Sequence, residues 1–398
     1  MLIARLRALI VSRAFGFAAG AALVILLGLY AYERVRSSGS PDLKLNISCF
    51  AYRDLNRNGS YDLGERPYAG LEVAMRTPAG KEVVATSNVA GFANFTMSRR
   101  ARSADIRVEG NATITVRPPA GWTITSGNGE QSATFRFLAG SPAGIVMEKT
   151  FNPVGIAPEL TISGGIELGA AGGGPVRGEL RATSPRGAET SVALSPTGRF
   201  SFPAESGEWR LDYTAGASRI KRRIQVGSYP VEVGTLATAR AEADADRRAV
   251  IATFDSLGRS NQVVEVPNGY AGLRWYNWVA IYQHTLESVG MVNATVSGEY
   301  VAYNSSGHAA TVSSGQPFDF VGGYIGVLWP EGEQGDVIVR AWRADRLVFE
   351  DRLRARIAGP VYFDADYRDV TRIEFASSTY WQLGIDDLQF RIRDAPRD

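Results

Sequence analysis

The chain has 398 residues, 45% of them hydrophobic, with a formal net charge of +2 and one cysteine. That length suffices for about two to four domains. The near-neutral balance, in which no basic stripe stands out, argues against a nucleic-acid partner, and the lone Cys49 excludes an intrachain disulfide.

The first element in chain order is an uncharged run from Ala14 to Tyr32, AFGFAAGAALVILLGLYAY. It is close to the roughly 20 residues that cross a hydrocarbon core as a helix. Arg5, Arg7 and Arg13 precede it, so the basic end stays in the cytoplasm and the chain after about residue 33 lies outside, in the cell envelope or at the cell surface. A retained signal anchor is one reading. Secretion after signal cleavage is the other, although no small-residue cleavage site is evident between Leu29 and Ser40. Residues 1–40 are thus read as cytoplasmic stub, membrane helix and spacer.

Residues 54 to 65 read DLNRNGSYDLGE. Asp54, Asn56 and Asn58 stand at the first, third and fifth positions, where side-chain oxygens point inward when a chain curls around a hard cation. Gly59 permits the bend, Ser60 can turn a carbonyl inward, Asp62 adds a carboxylate, and Glu65 at the twelfth position can close the shell bidentately. The pattern predicts a calcium site; an Asn/Gly-rich turn that binds nothing is the alternative. Leu43, Leu45, Ile47, Cys49 and Ala51 before the loop alternate with period two, and GLEVAM after it is short and β-branched, so strands flank the loop rather than the helices of an EF-hand. Cys49 then falls at an inward position and reads as a buried thiol.

From FAYRDLNRNGSYDLGERPYAGLEVAM through KEVVATSNVAGFANFTM to TITVRPPAGWTIT, the segment resembles the calcium-binding SdrD B-like (Cna-B-type) module of Gram-positive bacterial adhesins, over roughly residues 43–149. The resemblance implies a Greek-key, Ig-like β-sandwich at 41–150 with calcium held by the loop residues named above. The usual aspartate of its later turn is here Asn88.

Short alternating strands separated by PRG, SPTGR, ESGE and TAGA turns continue through 151–236 and predict a second β-sandwich, which resembles transthyretin-like spacers. The glycines from Gly164 to Gly174 lack the strand-to-helix context of a phosphate cradle and read as a loop. ATARAEADADRR, residues 237–248, has no apolar face and marks a linker.

The third domain, 249–398, is again read as all-β. Its opening FDSL, NGYAGLRWYNW and closing IDDLQF resemble jelly-roll domains of exported bacterial proteins, related to galactose-binding and other carbohydrate-binding sandwiches. Strand pairing brings Asp255 toward Asp386 or Asp387, which suits either a second calcium or hydrogen bonding to backbone amides. Trp275, Tyr276, Asn277 and Trp278 are candidates for stacking on and reading a sugar, with core packing as the alternative. Asp364 and Asp366 share one side of a strand, about 7 Å apart, yet no partner motif identifies a glycosidase. His284 and His308, the only histidines, lie in no recognisable catalytic motif.

The sequence therefore predicts an all-β chain of three serial β-sandwiches behind one transmembrane helix. It is expected to be non-enzymatic, stabilised by calcium, and adhesive or carbohydrate-binding. A structural spacer or envelope-assembly component with a protein partner is the alternative.

Overall fold

The computed structural model describes residues 44–98, 109–136, 146–147, 150–166, 178–216, 218–236, 247–258, 263–329, 334–377 and 382–393. The apolar segment 14–32, the spacer, Trp381 and most of the expected linker lie outside these residues. Among the described residues no helix is long and apolar enough to cross a membrane. The chain is nearly all β, in serial sandwiches.

The first sandwich comprises β1 (Lys44–Arg53), β2 (Glu72–Arg76), β3 (Glu82–Thr86), β4 (Phe92–Ser98), β5 (Gly110–Arg117), β6 (Trp122–Ile124), β7 (Glu130–Arg136), β8 (Val146–Met147) and β9 (Val154–Pro158). One layer runs β4-β1-β9-β6 and the other β3-β2-β5-β7-β8. Ile47, Cys49 and Ala51 of β1 pack against Val73 and Met75 of β2 and Ala112, Ile114 and Val116 of β5, because alternate side chains of a strand share a face. Strand β9 pairs in parallel with β1, Ala51 opposite Val154 and Arg53 opposite Ile156. The first sandwich therefore extends past residue 150, where the sequence suggested a boundary.

The second sandwich comprises β10 (Thr161–Ile166), β11 (Glu179–Thr183), β12 (Glu189–Val192), β13 (Arg199–Pro203), β14 (Gly207–Ala215), β15 (Ser218–Val226) and β16 (Val231–Leu236). Its layers are β12-β11-β14-β15 and β13-β10-β16. Gly164 and Gly165 belong to β10, not to a loop. A Cβ at Gly164 would meet the Val233 carbonyl oxygen at 2.7 Å, so the strand needs glycine there to lie beside its neighbours.

The third unit comprises β17 (Arg247–Ala252), β18 (Val263–Glu265), β19 (Arg274–Tyr276), β20 (Trp278–Tyr282), the short helix α1 (Val289–Ala294), β21 (Tyr300–Asn304), β22 (Ala310–Val327), β23 (Gln334–Arg343), β24 (Arg346–Arg356), β25 (Val361–Ser377) and β26 (Leu383–Arg393). β17 starts at Arg247, inside the expected linker. The long strands β22 and β25 pair with each other through register shifts between Ser313 and Gly322, where bulges bend them from one set of partners to the next.

The sandwiches are serial in sequence but docked in space. Strand β16 of the second pairs in parallel with β25 of the third, Val231 opposite Tyr362 and Val233 opposite Asp364, so one sheet of 13 strands passes through both. The first sandwich meets the third around α1.

Candidate functional site

The loop after β1 closes on itself. The fully buried Asp54 carboxylate accepts the Asn58 N–H at 3.1 Å and the Gly59 N–H at 2.8 Å, and Gly59 takes the left-handed φ of 77° that the sequence anticipated. Asn56 Nδ2 and Asn58 Nδ2 donate to Asp62 Oδ2 at 2.8 and 2.6 Å. Ser60 N–H donates to Asn58 Oδ1 at 2.8 Å, and Asp62 N–H to Glu65 Oε2 at 2.9 Å.

Whether these residues suit a cation rests on their charge and on what is left unpaired. Among the described residues no group of three His, Cys, Asp or Glu side chains is arranged as a metal site. The carboxylates of Asp54, Asp62 and Glu65 are the part of the donor set that suits a hard cation. Glu65 Oε1 is buried without a hydrogen-bond partner. Burial pushes the Glu65 carboxyl above its usual range, and the Asp54 and Asp62 charges add to that shift against the backbone hydrogen bond from Asp62. The same carboxylates reinforce burial in pushing the Tyr52 phenol up to about 12. This is a pocket of accumulated negative charge, and the two asparagine amides turn nitrogen donors toward Asp62 where a cation would call for oxygens.

Asp255 and Asp386 do converge, as expected, but on backbone amides. Asp255 Oδ1 accepts the N–H groups of Glu299 (2.6 Å) and Tyr300 (3.2 Å). Asp386 Oδ2 accepts those of Val296 (2.6 Å) and Ser297 (3.1 Å), and its Oδ1 that of Asp387 (2.8 Å). These are the backbone-amide bonds that the sequence offered as the alternative to a second calcium. The two carboxylates hold the turn after α1, and the positive charge near them is the Arg66 guanidinium, which both carboxylates favour and which donates to the Gly298 carbonyl.

This turn is one side of a junction joining all three sandwiches. Arg53, at the end of β1 and only 2% exposed, donates through Nη1 to Thr295 O at 3.0 Å and to the Tyr229 hydroxyl at 3.2 Å, and through Nη2 to Val292 O. A single guanidinium from the first sandwich thus bonds a hydroxyl of the second and caps carbonyls at the C-terminal end of α1 in the third, where positive charge is favoured. Asn293 pairs with Ala69 in both directions, Oδ1 accepting at 3.4 Å and Nδ2 donating at 3.0 Å, and Nδ2 also reaches Ile357 O at 3.3 Å. Sequence reading missed Arg53 because, in a strand beside a loop, a charged residue looks like surface.

The expected aromatic platform is also corrected. Trp275 is 5% and Trp278 1% exposed, both within the third core, with their Nε1 groups donating to Tyr270 O and Thr311 O. Strict alternation would send only one of them inward, but Asn277 takes φ 63°, interrupting the pleat between β19 and β20 and aiming both rings at the core. Asn277 Nδ2 bonds His308 O and Ala309 O, and only Tyr276, 71% exposed, faces solvent. Asp364 and Asp366 do lie together, where Arg222 pairs with them at 2.9 and 3.9 Å. Neither is left as an isolated acid for glycoside chemistry.

Strand β15 carries one further feature hidden in sequence. Arg219, Lys221 and Arg223 are exposed on one face, while Ile220 and Ile224 are buried on the other. In sequence the apolar residues dilute the charge; an alternation count would have found the stripe.

A scan against protein-family models finds no match, and a search of the curated proteins finds none. Solved structures give partial likenesses. The Bacillus anthracis TIE protein is 13% identical with a TM-score of 0.21, over 49% of this chain but only 34% of that one. The shaft pilin SpaA of Lactobacillus rhamnosus GG is 10% identical with a TM-score of 0.23, over 50% of this chain and 99% of its own. A DUF3823 family protein of Parabacteroides merdae is 11% identical with a TM-score of 0.17, over 56% of this chain and 98% of its own. At such scores these likenesses carry no argument about what the chain does.

Proposed function

We propose that this chain is a membrane-anchored, exported, non-enzymatic structural component of a cell envelope, whose three sandwiches work as one stiff body with a calcium-binding first module. The observation that supports a structural role is the Arg53 junction, since a buried guanidinium shared by three domains opposes hinge motion between them. The export reading rests on the arginines and apolar run at the N-terminus. The calcium reading, and with it the SdrD B-like assignment, rests on the Asp54–Glu65 loop and its unpartnered Glu65 oxygen.

Protease treatment of intact cells and spheroplasts carrying the full chain tests the export reading. Cleavage of the sandwiches only once the envelope is opened, with a membrane-retained N-terminal fragment, is the expected result; protection in spheroplasts overturns it. A glycan-binding role is the second reading, favoured only by the exposed Tyr276 ring. Saturable binding of the full chain to immobilised polysaccharide, lost in Tyr276→Ala, would move the conclusion there.

A further inference from the structure

A cleft of about 530 Å³ opens between β15 of the second sandwich and strands β22, β25 and β26 of the third. Its walls carry the cations Arg219, Lys221, Arg222, Arg223, Arg368 and Arg391 against two carboxylates, Asp364 and Asp366. Those carboxylates are already engaged. Arg222 Nη2 holds Asp364 through its Oδ1 at 2.9 Å and its carbonyl at 3.0 Å, and Arg368 holds Asp366 at 3.2 Å.

Two observations point to a ligand. Arg222, whose side chain is 10% exposed, leaves Nη1 buried without a hydrogen-bond partner, its nearest carboxylate oxygen standing 3.9 Å away on Asp366. An unmet guanidinium donor at the base of a cleft calls for an acceptor. Arg219, Lys221 and Arg223 line the cleft as well, at every second position of β15, a spacing of about 7 Å, on the alternate pleat to Arg222, so that the cleft runs along the strand rather than over one of its faces. Arg219, Arg223 and Arg391 form no ion pair within the described residues, while Lys221 reaches Asp212 at 3.4 Å.

We propose that this cleft binds a linear phosphate-bearing polymer, one phosphate group seated on Arg222 Nη1 and neighbouring groups along the β15 row. A single small anion would leave most of the row unused. A tetrahedral phosphate offers acceptors to several converging guanidinium forks, where a planar carboxylate satisfies one fork at a time. The inference stands independently of the membrane anchor and of the calcium loop.

The test uses the full chain in detergent and fluorescein-labelled inorganic polyphosphate, read by anisotropy at low salt, with unlabelled polygalacturonate as competitor. Arg219→Gln/Arg223→Gln/Arg391→Gln is expected to weaken binding at least about tenfold at unchanged thermal midpoint, since each neutralised phosphate contributes counterion release. Arg76→Gln/Arg346→Gln/Arg352→Gln removes equal charge from exposed positions away from the cleft and is expected to change it less than about twofold. Absence of polyphosphate binding overturns the proposal, as does equal weakening by both triple variants, which would mean diffuse attraction. Displacement by polygalacturonate as effective as by unlabelled polyphosphate overturns the assignment to phosphate.

Discussion

Arg53→Met replaces the junction guanidinium by an apolar chain of similar length, keeping the packing and deleting the donors. The loss leaves two buried carbonyls, Val292 and Thr295, and the Tyr229 hydroxyl without this partner. A buried acceptor left unpaired costs about 1–3 kcal/mol, so two carbonyls and a hydroxyl together place the change at about 3 kcal/mol or more, with partial restoration by Arg53→Lys, whose ammonium lacks the planar fork. Equilibrium urea unfolding followed by tryptophan emission measures it, because the tryptophans are distributed over the units, Trp122 in the first, Trp209 in the second and Trp275 and Trp278 in the third. The wild-type chain is expected to unfold with its sandwiches coupled, and the variant to lose stability and split into separated transitions. A loss below about 1 kcal/mol with the transition unsplit would refute the idea that this residue locks the domains.

At ~1 mM calcium and a site of ~0.1 mM affinity, the first sandwich should gain about 1.4 kcal/mol; differential scanning with chelator should show that gain in the wild type and not in Glu65→Gln, and an equal gain in both would rule out the loop as the site. Trp275→Ala should destabilise by about 3–5 kcal/mol as a core truncation, whereas a ligand-stacking residue would lose binding with little change in stability. Burial pushes the Cys49 thiol up to about 11, so at pH 8 a thiol reagent should label it only on unfolding; rapid labelling of the native protein would contradict its place in the core. Burial raises the carboxyl of Glu232 despite its partners Arg199 and Ser163. Its contribution is therefore fully present below its unfolded value and is lost as pH rises through the folded one. Glu232→Gln should flatten the stability-against-pH curve in that window, and an unchanged slope would locate the titration elsewhere.

Periodicity alone carried the architecture. Alternating Ile47, Cys49 and Ala51, or Trp209, Leu211 and Tyr213, can bury one face only as strands, and the structure buries those residues. The closed turn from Asp54 to Glu65 was also legible, because its hydrogen-bonding residues are neighbours in sequence and Gly59 states the bend. What the tertiary structure decided was every relation between distant segments. Asn277's left-handed backbone turned two tryptophans inward, a local conformation with no signature in a row of aromatics. Asp255 and Asp386 met the same turn only in the folded chain, where their oxygens accept its backbone amides. Arg53 became a buried three-domain bond, and β15 became a wall of a basic cleft, only when docking supplied the opposite side. Local pattern fixes which face of a strand is apolar; the partners that face it are set by packing across hundreds of residues, which no short window of sequence contains.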